Sequence, residues 1–288
     1  MARKTATPIQ DPERLTSCLW ITSAVTLTPV NELLVDRRDD GTVLITLNRP
    51  DRRNAMTDGM TGEWRETMAA LATDAGVRCV IVTGAGTAFS SGGDLSWLGE
   101  RGVETVPKLR DRMLAFYRTW LAITELEVPT IAAVNGPAVG AGLCVALACD
   151  LVYAADDAKL LVPFTKLGLH PGMAATYLLP KRAGALGREM LLTGRTVTGR
   201  EAAIKDLVNQ SFPKNDLMSE VEAIAQTIAQ NAPIATRLTK VALNQDHPHL
   251  EAALRWESLA QPVTMASADM IEGLAAHRER RMPKFTGS

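Results

Sequence analysis

Apolar and polar positions follow two rhythms along this chain, and the change between them divides it. Two short apolar runs, Cys79 to Thr83 and Thr130 to Val134, are too short for helices. Gly84 follows the first, and Pro129 and Asn135-Gly136 bracket the second, so both predict buried strands. Upstream, Glu32 to Asp36 and Thr42 to Leu47 flank Asp40-Gly41 in the pattern of a hairpin. Thr57 and Asp58 can cap a helix reaching about Ala72. Val106 to Leu126 carries Leu109, Met113, Phe116, Tyr117, Trp120 and Ile123 at helical spacing, an aromatic stripe that reads as core. Leu143 to Ala148 predicts an apolar helix, and Leu151 to Ala154 and Lys159 to Val162 predict short strands around Asp156-Asp157.

From Pro171 onward the strand rhythm is lost. Thr198-Gly199-Arg200-Glu201 is a capping box, and Asp216, Pro233, Pro248 and Ser267 each precede an apolar-periodic helix. Alternating strands and helices followed by helices alone indicate an α/β domain with a helical end and no linker between them. No solenoid repeat or low-complexity tract interrupts this pattern.

Two strands lead into glycine-rich turns. Gly84 to Asp94 contains four glycines and is expected to enter a helix near Leu95, and Gly140 and Gly142 straddle the expected first turn of the helix after Pro137. A helix start has backbone N–H groups with no internal partner and the positive end of the dipole behind them. Glycine lets a ligand approach that backbone, so two such units suit an anion or a developing oxyanion. A dinucleotide fingerprint fits poorly. Val145 stands where its third glycine belongs, and Asn135 to Val139 intervene between strand and motif. Asp156 is the acid that such a reading would place on a ribose.

Composition narrows the class. A length of 288 residues with 46% apolar and 22% charged content is ordinary for a globular protein with a large core. A net charge of −1 gives no global reason to expect nucleic acid or membrane binding. Cys18, Cys79, Cys144 and Cys149 form no C-x-x-C pair and read as reduced thiols of a cytoplasmic protein. The 4 histidines are scattered without metal-ligand spacing. In residues 1–29 the mildly apolar run Cys18 to Leu27 is broken by Thr22, Ser23 and Thr26. It lies far behind Met1, after Asp11 and Glu13, which does not suit a signal peptide; a poorly ordered or peripherally packed arm is expected.

Four motifs, in order, carry a resemblance: Asn48-Arg49-Pro50 with Arg53-Asn54-Ala55-Met56; Ala88 to Leu95; Ala133 to Gly142; and Leu192-Thr193-Gly194-Arg195. Together they closely resemble the crotonase (enoyl-CoA hydratase/isomerase) superfamily. The resemblance implies a spiral of ββα units over residues 30–195 and a helical trimerisation region over 196–288, with trimers often paired into hexamers. It implies an acyl-CoA thioester as ligand, coenzyme A entering only as part of the substrate, and no prosthetic group.

By the same resemblance, the N–H groups of Gly93 and Ala141 form an oxyanion hole for the thioester carbonyl. Ala55, Ser91, Asp94, Leu95 and Gly140 border it, Asp94 also being expected to cap the helix at Leu95. Arg52 and Arg53 either meet the CoA phosphates or are two solvated surface arginines. Lys284 and Phe285 match the family's C-terminal CoA contacts to an adjacent subunit. The family's two hydratase glutamates fall on Cys144 and Phe164, and the isomerase glutamate falls on Gly172. With those carboxylates missing, ordinary hydratase activity is not expected; a non-catalytic acyl-CoA-binding protein is the alternative. His170 is the candidate substitute acid/base, with an ordinary imidazole pKa of ~6.5; its other reading is a loop imidazole bonded to backbone.

Overall fold

A computed structural model describes residues 31–94, 105–245, 247 and 249–288. The arm at 1–29, Leu95 and Pro248 lie outside the described residues. Six strands form the main sheet: β1 (Leu33–Arg37), β2 (Thr42–Leu47), β3 (Cys79–Gly84), β4 (Thr130–Val134), β6 (Leu151–Ala155) and β9 (Gln210–Phe212), adjacent in that order. The β1–β2 hairpin is antiparallel and every later pairing in this sheet is parallel. Strands β3 and β4 are buried at every position. Both faces of a parallel sheet are covered, which is why these strands read as continuous apolar runs. A second sheet is built from β5 (Ala138–Val139), β7 (Lys159–Leu161) and β8 (Val197–Thr198).

Helix α1 (Asp58–Thr73) starts where Thr57 Oγ1 accepts from Met60 N at 3.0 Å. It buries Met60, Trp64, Met68 and Leu71, one face of a helix at i, i+4, i+8 and i+11. Trp64 stacks on Trp120 of α2 (Val106–Leu121) with ring centroids 4.8 Å apart, and Trp120 Nε1 donates to Thr61 Oγ1 at 3.0 Å. Helix α3 (Ala141–Ala148) is buried at all eight positions, as a helix apolar all round must be. It is followed by α4 (Ala175–Thr193), which turns sharply at Ala183-Gly184, and α5 (Gly199–Ile204). Helices α6 (Leu217–Ala229), α7 (Pro233–Asn244), α8 (Leu250–Met265) and α9 (Ala268–Glu279) complete the chain.

Three expectations are corrected. Strands do not cease at Pro171: β8 closes the small sheet and β9 is the edge of the large one. Segments of two and three residues, one of them Gln-Ser-Phe, are too short and polar to show a strand rhythm. The α2 stripe is core only in part. Trp120 is fully buried, but Leu109 and Leu114 are exposed and Phe116 and Tyr117 half-buried. The capping box at α5 is half made: Glu201 N donates to Thr198 Oγ1 at 3.1 Å, while the Glu201 carboxylate turns to Arg195 Nη2 at 2.9 Å.

Residues 31–288 cluster as one unit, without a division near 195. Helix α6 packs over β3, β4 and β6. Lys240 of α7 is buried, donating to Val128 O at 2.7 Å and pairing with Asp150 Oδ2 at 2.9 Å. Asp150 also receives Thr130 N at 2.7 Å and Thr130 Oγ1 at 2.8 Å, so this ion pair ties a late helix to the start of β4. Among the described residues no helix is long and apolar enough to cross a membrane, and no group of His, Cys, Asp or Glu could hold a metal ion.

Removing one partner of a buried pair costs about 3–5 kcal/mol. The Asp150 side chain keeps 24% exposure, which lowers the expectation. Lys240→Met should therefore destabilise the fold by about 2–3 kcal/mol in urea unfolding, on the scale for uncovering such a charge. A loss under about 0.5 kcal/mol, the size of an ordinary surface substitution, would contradict this role for the pair.

Candidate active site

The register of β3 on β4, Val80↔Thr130, Ile81↔Ile131 and Val82↔Ala132, brings both strands to an end at the same edge of the sheet. The two glycine loops that follow, 85–94 and 135–140, are therefore neighbours. They occupy the carboxyl edge of a parallel sheet, where α/β folds place their ligands. Val139 N donates to Ser90 O at 2.9 Å and Ser90 N to Pro137 O at 3.2 Å, joining the loops directly. Contact this close requires glycine. A Cβ at Gly92, where φ is +89°, would lie 2.7 Å from Val139 O and 3.3 Å from Ala141 N. A Cβ at Gly142 would lie 2.7 Å from Ser90 Cβ.

Two asparagines hold the loops from within. Asn54 is buried with φ of +55°, a left-handed conformation that asparagine tolerates. Its Nδ2 donates to Ala88 O at 2.8 Å, Ala85 O at 3.0 Å and Phe89 O at 3.2 Å, and its Oδ1 accepts from Arg49 N at 2.9 Å. Asn135 Nδ2 donates to Gly84 O at 2.8 Å and Gly86 O at 3.2 Å. The buried Ser90 Oγ donates to Asn54 O at 2.8 Å and accepts from Gly92 N at 3.1 Å. Sequence reasoning missed these roles, although both asparagines lie in the motifs it used. Turn-forming residue types point to a turn and say nothing of which carbonyls an amide will reach.

Gly93 and Ala141 are among the residues of this junction whose N–H groups find no acceptor among the described residues. Met56 N donates to Gly92 O at 2.9 Å and Asp94 N to Met56 O at 3.1 Å. This parallel bridge uses the groups on either side of Gly93 and turns the Gly93 N–H away from Met56. Ala141 opens α3, so its N–H has no acceptor within the helix. The preceding Gly140 N is already bonded to Leu161 O at 2.9 Å. Neither Gly93 N–H nor Ala141 N–H has an acceptor among the described residues. Met56 and Asp94 also line a cavity of about 440 Å³ between α1 and α2, within the size range of small-ligand sites.

Three side-chain positions gather around the start of α3. Cys144 lies one turn after Ala141, and burial pushes its thiol up to about 12, so it is a neutral thiol at pH 7. The Phe164 ring stands 3.5 Å from where a Gly140 Cβ would be. Cys144 Sγ is 4.0 Å from Gly172 O. No carboxylate occupies any of the three positions. His170 is exposed and its imidazole makes no hydrogen bond among the described residues. Tyr177 is also exposed and accepts from Lys181 Nζ at 2.8 Å.

Ser91 N donates to Arg53 O at 2.8 Å, which places exposed Arg52 and Arg53 beside the first glycine loop. Ala55 O accepts from Arg49 Nη1 at 3.3 Å, and the same nitrogen is 3.8 Å from Asp94 Oδ2. Asp94 thus faces an arginine, and Leu95, where a helix start was expected, lies outside the described residues. Lys284 and Phe285 lie elsewhere. Lys284 N donates to Glu272 Oε1 at 2.8 Å and the Phe285 ring packs against Gly273 on α9. Asp156 accepts from Arg200 Nη2 at 2.7 Å and Ser211 Oγ at 2.6 Å. The Arg200 guanidinium holds its carboxyl below the usual range, and it acts as a tie between β6, α5 and β9.

Known proteins share this fold. The sequence profile described as enoyl-CoA hydratase/isomerase matches residues 37–288. A 2,3-dehydroadipyl-CoA hydratase of Escherichia coli is 33% identical, covering 90% of this chain and 100% of the relative. A 1,2-epoxyphenylacetyl-CoA isomerase of the same organism is 33% identical, covering 89% and 99%. The crystal structure of an enoyl-CoA hydratase from Bacillus anthracis matches with a TM-score of 0.83 at 33% identity, covering 89% of this chain and 100% of that one. The chain belongs to the enoyl-CoA hydratase/isomerase family and has the crotonase fold, within a superfamily of CoA-thioester lyases and isomerases.

Asn54 is the most heavily bonded side chain of the site. Asn54→Ala takes the amide from two buried carbonyls, a part-buried one and one N–H, and should cost about 3 kcal/mol in urea unfolding while lowering acyl-CoA affinity. Asn54→Asp should be worse, since it sets a negative charge against the same carbonyl oxygens. Unchanged stability in both variants would show that the loop is held by other contacts.

Proposed function

We propose that the chain binds an acyl-CoA thioester with its carbonyl oxygen between the Gly93 and Ala141 N–H groups, and stabilises the thioester enolate there. The observation that carries this is the convergence of two unpartnered backbone donors at the carboxyl edge of adjacent parallel strands. Enolate formation moves negative charge onto that oxygen. Each well-placed donor lowers such a barrier by about 3 kcal/mol. The positive end of α3 adds to the same effect. Exposed Arg52 and Arg53 are positioned to meet the CoA phosphates as the ligand enters over the first loop.

Ordinary hydration is not the reaction this pocket favours. Adding water across an enoyl double bond needs one group to activate water and another to protonate carbon. At the positions where the family carries glutamates, Phe164 has no proton to exchange and the Cys144 thiol is held neutral by burial. Loss of both groups is also the observation that favours a purely binding role, and turnover separates the two readings.

Assembly belongs to the same proposal. Leu250, Leu254, Leu259, Val263 and Ile271 on α8 and α9 are exposed in the single chain. Large apolar side chains exposed on both sides of a late helix suit burial against other subunits. A trimer, or two trimers paired, would cover them and could bring Lys284 and Phe285 to a neighbouring subunit's ligand.

Crotonyl-CoA hydration by the purified protein should fall at least ~100-fold below a glutamate-bearing hydratase of the family, the contribution of a single general acid or base. Butyryl-CoA should still bind in calorimetry. Ala141→Pro removes one donor at a first-turn position that tolerates proline, and should lower any turnover by roughly 100-fold. Hydration as fast as that of the glutamate-bearing enzyme, or an Ala141→Pro protein indistinguishable from the parent, would overturn this reading.

A further inference from the structure

Gly172 stands at the family position of the isomerase carboxylate, and the space in front of it is already filled. A Cβ built at Gly172 would collide with Tyr117 Oη and lie 2.9 Å from Tyr117 Cζ. A side chain at 172 and the tyrosine ring are therefore mutually exclusive occupants. We propose that the Tyr117 hydroxyl is the proton-transfer group of this site, placed where the isomerase branch carries its carboxylate. The inference rests on the acyl-CoA reading above.

Geometry supports it from two sides. Cys144 Sγ is 4.0 Å from Gly172 O, so the Gly172 residue neighbours both Cys144 and the tyrosine ring. Cys144 is three residues after Ala141 on α3, on the same helical face as the second donor. The phenol is thus linked through Gly172 and Cys144 to the helix start that carries the second donor. Its hydroxyl makes no hydrogen bond among the described residues, although the side chain is half-buried. The oxygen is not sealed within the core, so it is open to a ligand.

The ring is held by neighbours rather than by its oxygen. Phe116 and Tyr117 meet edge to face with centroids 6.2 Å apart, and Phe116 lies 6.4 Å from Trp120, which is anchored on α1. Burial, and after it the nearby Cys144 thiol, push the phenol upward from its ordinary value. Cys144 is the titratable group that acts on it; His170, two residues before Gly172, is exposed. At neutral pH the group is a protonated donor.

The step balances without a cofactor. With the enolate oxygen in the hole, the enolate electron pair forms a new bond from the α-carbon to the Tyr117 proton as the O–H bond breaks. Negative charge passes from the thioester oxygen to the phenolate, which then takes a proton from water. In reverse, the phenolate removes an α-proton and the hole receives the charge. The substrate class this serves is an acyl-CoA bearing a hydrogen on its α-carbon.

Exchange of the α-hydrogens of butyryl-CoA in deuterated water, followed by NMR, tests this. The protein-dependent rate should rise about tenfold per pH unit between pH 7 and 9, because only the small ionised fraction of a phenol with pKa above ~10 can accept the proton. Tyr117→Phe should lower that rate at least ~100-fold, with butyryl-CoA affinity in calorimetry unchanged within about threefold, a small difference beside that loss. Gly172→Ala, which displaces the hydroxyl, should give a similar loss. Equal exchange by Tyr117→Phe, a flat pH profile, or no exchange above buffer by a parent protein that binds butyryl-CoA would each overturn the role of Tyr117. Failure of the parent protein to bind butyryl-CoA would instead overturn the reading of the site.

Discussion

The parallel pairing of β3 with β4 is the constraint on which the rest of the molecule depends. Two adjacent strands running the same way must deliver their loops to the same edge, and here both loops are rich in glycine. Their junction through Ser90 and Val139 sets Gly92 against the start of α3 and leaves the Gly93 and Ala141 N–H groups without acceptors among the described residues, a buried helix standing behind the second. A shift of register between the strands would leave each loop as an ordinary βα turn.

Such loops are entropically expensive, since glycine loses more freedom on ordering than any other residue. The cost is offset by side chains that replace missing regular structure. Asn54 satisfies three carbonyls of the first loop, and Asn135 ties it to the second. Below the sheet, α6 covers β3, β4 and β6, and Lys240 fixes α7 to the beginning of β4 through Asp150. The late helices are thus part of what holds the central strands in register. Backbone donors held this way are independent of side-chain identity at the surrounding positions. On the proposed reading, that independence lets the hole persist with Cys144, Phe164 and Gly172 around it.

Much of this was legible in the sequence because burial on both faces writes itself as an uninterrupted apolar run. Cys79 to Thr83 and Thr130 to Val134 are strands within a residue of their expected ends, and the Asp40-Gly41 hairpin forms in register. Glycine spacing marked both loops. What escaped was set by contacts between distant segments. Strand β9 is three residues long and exists because β6 offers it an edge. Tyr117 has the same helical spacing as its core neighbours, so the pattern assigned it to packing. Only the fold shows its hydroxyl against Gly172, 55 positions further along the chain. Glu201 was read as half of a capping box and was diverted by Arg195, a partner no local pattern announces.

The central claim is that two backbone donors from two different loops meet one thioester oxygen. The most direct measurement is a crystal structure of the protein with acetoacetyl-CoA bound. The account predicts the thioester oxygen within about 2.7–3.1 Å of both Gly93 N and Ala141 N, the range for a working oxyanion hole. An oxygen within reach of only one of these nitrogens, or a ligand seated away from the edge shared by β3 and β4, would contradict it.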